Sequence, residues 1–291
     1  MWEKFSENIE EVFTKEAISD LMRGLDEKSK KILNNWMKKV SLDIQVRDLD
    51  FVLAPPKYTE CFKEDYFRCE EIEKKLSKAQ GLPEFFPEST YFHHGMRLLP
   101  KSVKNYVKEK IFIDGGACFG DSSLAFLNYA PRKVLAFDIS ESNANIFRKI
   151  MKKNNVPEYK VTLILKGLGE KEERKSFQDG KGGGTGFYIQ GDSFADIVTL
   201  DSCKEVDGTV GWIKIDLEGY GLPAVKGMVE TIKRDRPVLT LAVYHCADEL
   251  FGIKKLLESL ALNYKIMFRA CRFDGFNELT LIAYPAELDQ V

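Results

Sequence analysis

Lys110-Ile111-Phe112-Ile113-Asp114-Gly115-Gly116-Ala117-Cys118-Phe119-Gly120-Asp121-Ser122 is the stretch on which the fold of this chain turns. An apolar run, Ile111 to Ile113, breaks abruptly into Asp114, Gly115 and Gly116, as a buried parallel strand does where it passes through a turn into a helix. The helix is expected to start near Gly120 to Ser122, with Asp121 or Ser122 as its N-cap and Leu124, Ala125 and Leu127 facing inward. Strand, glycine-rich turn and helix together make the first unit of a nucleotide-binding α/β fold. Glycine is needed there because the turn requires unusual backbone angles and because a Cβ would keep a cofactor off the main chain.

What the loop lacks narrows the cofactor. In the dinucleotide fingerprint G-x-G-x-x-G the second glycine admits the pyrophosphate, yet counting from Gly115 to Gly120 that place is held by Ala117. Asp114 at the strand tip would repel a phosphate and attract a ligand carrying an ammonium and a sulfonium. S-adenosylmethionine is such a ligand. A second apolar strand, Val134 to Phe137, ends in Asp138 about twenty residues past the loop, where a carboxylate accepts hydrogen bonds from ribose hydroxyls.

The chain has 291 residues, 44% hydrophobic and 30% charged, with a formal charge of -2. That length accommodates a core domain plus an appendage. Acidic and basic residues are interleaved, so no electrostatic footprint for nucleic acid is present. No apolar run approaches membrane-spanning length and the N-terminus lacks an apolar signal segment, which reads as a cytoplasmic protein without a membrane span. The six cysteines (Cys61, Cys69, Cys118, Cys203, Cys246, Cys271) form no C-x-x-C pair, the pattern of free thiols. Neither a disulfide framework nor a metal site is expected.

Residues 1–86 read as a helical N-terminal cap and residues 87–291 as the cofactor domain. In the cap, Trp2, Phe5, Ile9, Val12, Phe13, Ile18, Leu21 and Met22, then Ile32, Leu33, Trp36, Met37 and Val40, recur at helical spacing. Phe51 to Pro56 reads as extended and Tyr58 to Gln80 as a charged helix closed by Gly81 and Pro83. The apolar stripes are expected to pack on the main domain or on a second copy, making a homodimer through the cap one expectation. After the joint at Pro83 to Pro87 come His93 and His94, candidates for substrate contact because they fall just before the cofactor strand. Lys101 to Lys108 reads as a short helix leading into it.

Downstream, Ser142 to Lys153 is expected as a helix and Val161 to Leu165 as a third strand, ending at Gly167 and Leu168 where an adenine can lie against backbone. The glycine-rich run from Gly180 to Gly186 reads as a connector or a lid, with Phe187 to Gln190 in a hairpin. Ile213-Lys214-Ile215-Asp216-Leu217-Glu218-Gly219 is a further apolar strand ending in carboxylates, which are costly there unless they meet something cationic. Leu222 to Arg234 reads as a helix. A fifth strand, Val238 to Val243, delivers Tyr244 and His245 to the same edge, and imidazole suits proton transfer near neutral pH. Asp248 is expected to cap a helix through Leu260. Tyr264 to Arg269 and Leu279 to Tyr284, joined at Asp274-Gly275, close an α/β, Rossmann-like, doubly wound sheet of seven strands with the last antiparallel.

Phe112 to Ser122, Ala136-Phe137-Asp138, Thr199-Leu200-Asp201, Ile213 to Gly219 and Tyr244-His245 together resemble the FkbM family of S-adenosylmethionine-dependent methyltransferases. The resemblance covers about Pro87 to Pro285, and its most specific part is the run from Lys214 to Gly219. It implies an O-methyltransferase acting on a hydroxyl of a sugar, glycolipid or natural product. It further implies that Asp114, Gly116 and Gly120 meet the methionine part of the cofactor, Asp138 its ribose, and Asp216 and Glu218 the reacting centre. Two departures stand out: Asp138 replaces the usual glutamate, and Tyr220-Gly221 replace the more frequent Ala-Glu.

The expected cofactor set is therefore Asp114, Gly115, Gly116, Ala117, Gly120, Asp121, Ser122, Asp138, Ile139, Gly167, Leu168 and Asp216. His93, His94 and Tyr244 are expected at the acceptor. His245 is the first candidate for the base that takes the acceptor's proton, with Glu218 second and Asp216 beside them. An NAD-dependent dehydrogenase would share the sheet but is disfavoured by Ala117, and a non-catalytic binding module leaves Asp216 and Glu218 unexplained.

Overall fold

The computed structural model describes residues 13–45, 63–180, 185–186, 191–271 and 278–289. Helices α1 (Lys15–Met22), α2 (Glu27–Gln45), α3 (Lys63–Gln80) and α4 (Lys101–Tyr106) precede the first strand. Then follow β1 (Ile111–Gly115), α5 (Asp121–Phe126), β2 (Lys133–Phe137), α6 (Glu141–Lys153), β3 (Val161–Ile164), β4 (Gly167–Leu168), β5 (Glu173–Phe177) and β6 (Ser193–Val198). The chain continues through β7 (Val210–Ile215), α7 (Gly221–Lys226), α8 (Val229–Asp235), β8 (Val238–Ala242), α9 (Ile253–Ser259), β9 (Tyr264–Ala270) and β10 (Leu279–Pro285).

Seven strands form one sheet in the order β3-β2-β1-β7-β8-β10-β9. The first five pair in parallel, and β10 runs antiparallel to both β8 and β9. Every residue of β1, β7 and β8 is buried, which is why these strands read as continuous apolar runs rather than as alternating ones. The chain builds outward from β1 to β3, then returns to the other side of β1 at β7. The crevice opened by that reversal, at the carboxyl ends of the strands, is where open α/β sheets bind their ligands.

The described part of the cap joins the core of the sheet. Leu21, Leu25, Leu33, Trp36, Met37 and Val40 are buried in the same apolar cluster as Ile113 and Ile213, with α2 lying against the edge strand β9. Asp26 accepts from the backbone N–H of Ser29 at 2.6 Å, and its carboxylate meets Arg269 of β9 at 2.9 Å. Burial works against the Asp26 charge, but the bonds from Arg269 and Ser29 prevail and hold its pKa at about 2. Ser29 Oγ in turn accepts from the backbone N–H of Phe268 at 2.9 Å. The described part of the stripe expected to face either the main domain or a second copy thus packs on the chain's own sheet edge. The start of the first expected helix and the extended stretch from Phe51 to Pro56 lie outside the described residues.

Several local expectations are revised. The cap of α5 is Gly120, at φ 88°, and not Asp121 or Ser122; a Cβ there would stand within 3 Å of Met151 and Phe147. The single helix expected from Leu222 to Arg234 is two, α7 and α8, parted at Gly227, where a Cβ would meet the carbonyl oxygen of Gly169 at 1.8 Å. Asp248 opens a wider π-type turn, Asp248–Gly252, capped by Ala247, before α9 begins. Around the glycine-rich loop, β5 and β6 pair antiparallel and β4 joins β6, making a small second sheet. The turns expected at Phe187 to Gln190 and at Asp274-Gly275 lie outside the described residues. Among the described residues no helix is long and apolar enough to cross a membrane, and Cys118, Cys203, Cys246 and Cys271 are free thiols.

Candidate active site

Strand register brings the two motifs together. In the parallel pair of β1 and β7, Asp114 stands opposite Lys214 and Gly115 opposite Ile215, so side chains a hundred residues apart in sequence meet on one face. Lys214 Nζ lies 3.3 Å from Asp114 Oδ1 and donates to the carbonyls of Gly115 at 3.1 Å and Gly116 at 2.8 Å. Ser123 Oγ donates to Asp114 Oδ2 at 2.6 Å. Burial opposes the Lys214 cation, but Asp114, Asp216 and Asp121 raise its pKa above the ordinary value. Asp114 is wholly buried. Its charge is answered inside the protein, which corrects the expectation that it meets the ammonium group of a cofactor. Gly116 is at φ 76°, and a Cβ on it would lie 1.9 Å from the carbonyl oxygen of Asp216. Gly116 is therefore required by the close approach of two strand ends.

A cleft of about 1200 Å³, its open mouth included, follows the carboxyl ends of β1, β2 and β7. Of the residues expected at the cofactor, Gly116, Asp121, Ser122, Asp138, Ile139, Gly167, Leu168 and Asp216 line it. Asp114, Gly115, Ala117 and Gly120 do not. Asp138 braces the loop, accepting from the backbone N–H of Cys118 and of Ser140, each at 2.8 Å. Burial pushes its carboxyl up to about 6 despite those bonds. His94 lines the cleft with Nε2 2.7 Å from Ser122 Oγ; burial and the Lys214 charge hold its pKa well below the ordinary value, so the ring is neutral. His93 is corrected: it points away, with Nδ1 2.7 Å from Tyr129 Oη, and burial with nearby Arg97 lowers its pKa to about 4.

The cleft is acidic. Glu88, Asp121, Asp138, Asp216, Glu218 and Glu278 face it, against the cations Lys166 and Lys214. The anionic character read from the sequence is present, but most of it comes from residues other than Asp114. Glu88 and Glu278 lie far apart in sequence and belong to no local pattern, so nothing in the sequence marks them. Lys214 was visible as the first residue of its motif, though not its partner.

Glu218, at φ 51°, and Gly219, at φ 95°, reverse the chain directly after β7. The turn gathers Asp216 and Glu218 on the side of His245, which emerges beyond β8. His245 Nε2 lies 3.3 Å from Asp216 Oδ1 and 3.7 Å from Glu218 Oε2. On the other side of the ring Nδ1 is 3.1 Å from Glu249 Oε2, and Glu249 Oε1 accepts from the backbone N–H of Gly221 at 2.8 Å. Burial disfavours the imidazolium, but Glu249, Asp216 and Glu218 outweigh it and raise the pKa of His245 above its ordinary value. His245 is only 2% exposed and is not part of the cleft wall, whereas Asp216 and Glu218 are. Glu249 went unnoticed in the sequence, although its place four residues after His245 on a helical turn was a usable signal. Tyr244 lines the cleft, its hydroxyl donating to Glu278 Oε1 at 3.3 Å and its ring stacked 4.0 Å from that of His245.

Comparison with known proteins follows the same residues. The profile of the methyltransferase FkbM domain matches residues 114–266. Among solved structures, a methyltransferase FkbM from Methylobacillus flagellatus KT is similar at TM-score 0.64 and 19% identity, over 97% of this chain and 61% of that one. The chain thus spans about three fifths of that neighbour's length. A putative O-methyltransferase from Klebsiella pneumoniae (TM-score 0.46, 13% identity, 77% of this chain and 96% of that one) and an O-methyltransferase from Bacillus cereus (TM-score 0.41, 13% identity, 98% and 100%) are more distant in shape. No curated protein sequence matches.

Proposed function

Because the chain belongs to the FkbM family of methyltransferases, we propose that it transfers a methyl group from S-adenosylmethionine to a hydroxyl of a sugar, glycolipid or other natural-product acceptor. The observation that carries this reading is the acidic cleft at the sheet's reversal point, with Asp138 on one side and the Asp216, Glu218 and His245 cluster on the other. The donor set fits the cofactor. Carboxylates suit its ammonium and sulfonium, Asp138 suits a ribose diol, and the apolar side chains of Ile139 and Leu168 suit an adenine.

When bound, S-adenosylmethionine supplies an electrophilic methyl carbon. The protein holds the acceptor oxygen in line with it, and that positioning lowers the barrier by several kcal/mol. Asp138 accepts from the ribose hydroxyls while keeping the Cys118 and Ser140 turns in place. Glu218, on the cleft wall, takes the acceptor's proton. His245 sits behind Asp216 and Glu218 and steadies their charge, which reverses the order of base candidates read from the sequence.

The test combines calorimetry with S-adenosylhomocysteine and transfer of a labelled methyl group to a panel of glycan, lipid and small-molecule acceptors. Binding of the homocysteine product and alkali-stable label on an acceptor oxygen are expected. Glu218→Gln should keep cofactor affinity and lose about a hundredfold or more in turnover. Label on nitrogen or carbon, or a fully active Glu218→Gln protein, would overturn the assignment.

A further inference from the structure

We propose that Asp216, Glu218 and His245 form a binding site for a divalent metal ion at the acceptor end of the cleft. One ligand atom from each of the three lies within 4.8 Å of the others. Two ligands each about 2.1 Å from an ion stand about 3.0 Å apart at right angles and about 3.4 Å apart at the tetrahedral angle. The separations of 3.3 Å and 3.7 Å from His245 Nε2 to the two carboxylates are close to those values and need only a small rotation to meet them.

Two independent features point to a cation between these groups. His245 Nε2 and Asp216 Oδ1 are both buried and neither makes a hydrogen bond within the described structure, although they face one another. Unsatisfied polar atoms at such depth are rare, and an ion held by both relieves them together. The second feature is how the imidazole is fixed. Glu249 Oε2 accepts from Nδ1–H and Glu249 itself is pinned by the N–H of Gly221, so Nε2 is the nitrogen turned into the cluster, where the ion takes the place of its proton. A carboxylate behind the far nitrogen of a ligating histidine is the arrangement that orients the ring and raises its donor strength at metal sites.

Two carboxylates and one imidazole make a borderline-hard donor set, suited to Mn²⁺, Fe²⁺ or Zn²⁺ and weakly to Mg²⁺. The catalytic consequence rests on the methyl-transfer reading above; the binding does not. An acceptor hydroxyl on the ion becomes more acidic, and its proton passes to the oxygen of Glu218 not held by the metal and then to solvent. The O–CH3 bond forms as the C–S bond breaks, and the sulfonium leaves as a neutral thioether.

The experiment is a titration of the full chain, stripped with chelator, with Mn²⁺ followed by electron paramagnetic resonance, with and without saturating S-adenosylhomocysteine. One Mn²⁺ per chain is expected, with nitrogen modulation from His245 in the echo-envelope spectrum of the unmodified protein. Asp216→Asn and Glu218→Gln should each weaken binding at least about tenfold, and Glu249→Gln, a positioning change, about tenfold to a hundredfold. Absence of Mn²⁺ binding up to about 1 mM, of nitrogen modulation, or of any effect in variants that melt like the parent overturns the site. Product calorimetry on the same samples separates the two ideas: intact cofactor binding without Mn²⁺ removes the metal site alone, and Mn²⁺ binding without cofactor binding removes the methyl-transfer reading alone.

Discussion

Lys214→Met leaves the carboxylate of Asp114 wholly buried with, among the described residues, only Ser123 Oγ donating to it. The lost partner is 3.3 Å away, and the two side chains are 3% and 0% exposed, so water cannot take its place. Stranding one member of a buried ion pair costs about 3–5 kcal/mol. The carbonyls of Gly115 and Gly116 lose a donor as well, although Gly116 lies on the cleft wall, where solvent compensates. The expected loss is therefore about 3–5 kcal/mol in urea unfolding of the cofactor-free protein, seen as a lower midpoint at unchanged slope. Asp114→Asn leaves Lys214 with the carbonyls of Gly115 and Gly116 and the charges of Asp216 and Asp121, and should cost less. The double variant removes both charges while an amide oxygen still accepts from Ser123, so it should be more stable than the sum of the singles by about 1–3 kcal/mol. A loss under about 1 kcal/mol for Lys214→Met, or strictly additive singles, would show that the pair does not anchor β1 to β7 as its burial requires.

Asp138→Ala should weaken affinity for S-adenosylhomocysteine about tenfold to a hundredfold, by removing a charge-assisted hydrogen bond; calorimetry showing unchanged affinity would sink the ribose assignment. Acid should act on the same residue. Its carboxyl is raised to about 6 by burial, from 3.8, so the native state holds the proton more tightly. Its cost to stability is therefore full above about pH 6 and shrinks as pH falls toward 3.8. Cofactor affinity should move oppositely, falling by up to about tenfold per unit below pH 6, and Asp138→Ala should lack this dependence. Gly116→Ala should lower unfolding stability by at least about 2 kcal/mol, because φ is positive and the new Cβ meets the Asp216 carbonyl; a parent-like urea midpoint would refute the close approach.

The sheet was legible because its signals are local. β1, β2, β7 and β8 are largely apolar, buried runs that lead into Asp, Gly or His, and a strand buried on both faces leaves that trace in sequence. Helix ends were less so. Gly120 in place of Asp121 as a cap, and the break at Gly227, are decided by what a Cβ would strike: Met151 and Phe147 in the first case and the carbonyl of Gly169 in the second. None of those contacts is local. The small sheet of β4, β5 and β6 was seen only as alternation near a glycine-rich loop, since its β4 contributes two residues, too few to carry a period.

The site was legible at its edges and misread at its centre for one physical reason. A carboxylate at a strand tip looks the same in sequence whether it faces a ligand or a lysine on the neighbouring strand. Register decides, and it turns Asp114 toward Lys214. That register also explains Asp216. Its N–H donates to the carbonyl of Gly115 at 3.0 Å, extending the pairing of β1 and β7 by one step, and its own carbonyl occupies the space that a side chain on Gly116 would take. With the backbone drawn in there, the Asp216 side chain reaches the cleft beside Glu218 and in front of His245. Gly116 thus acts through the neighbouring strand: it allows the second motif to advance far enough for its carboxylates to reach the cleft.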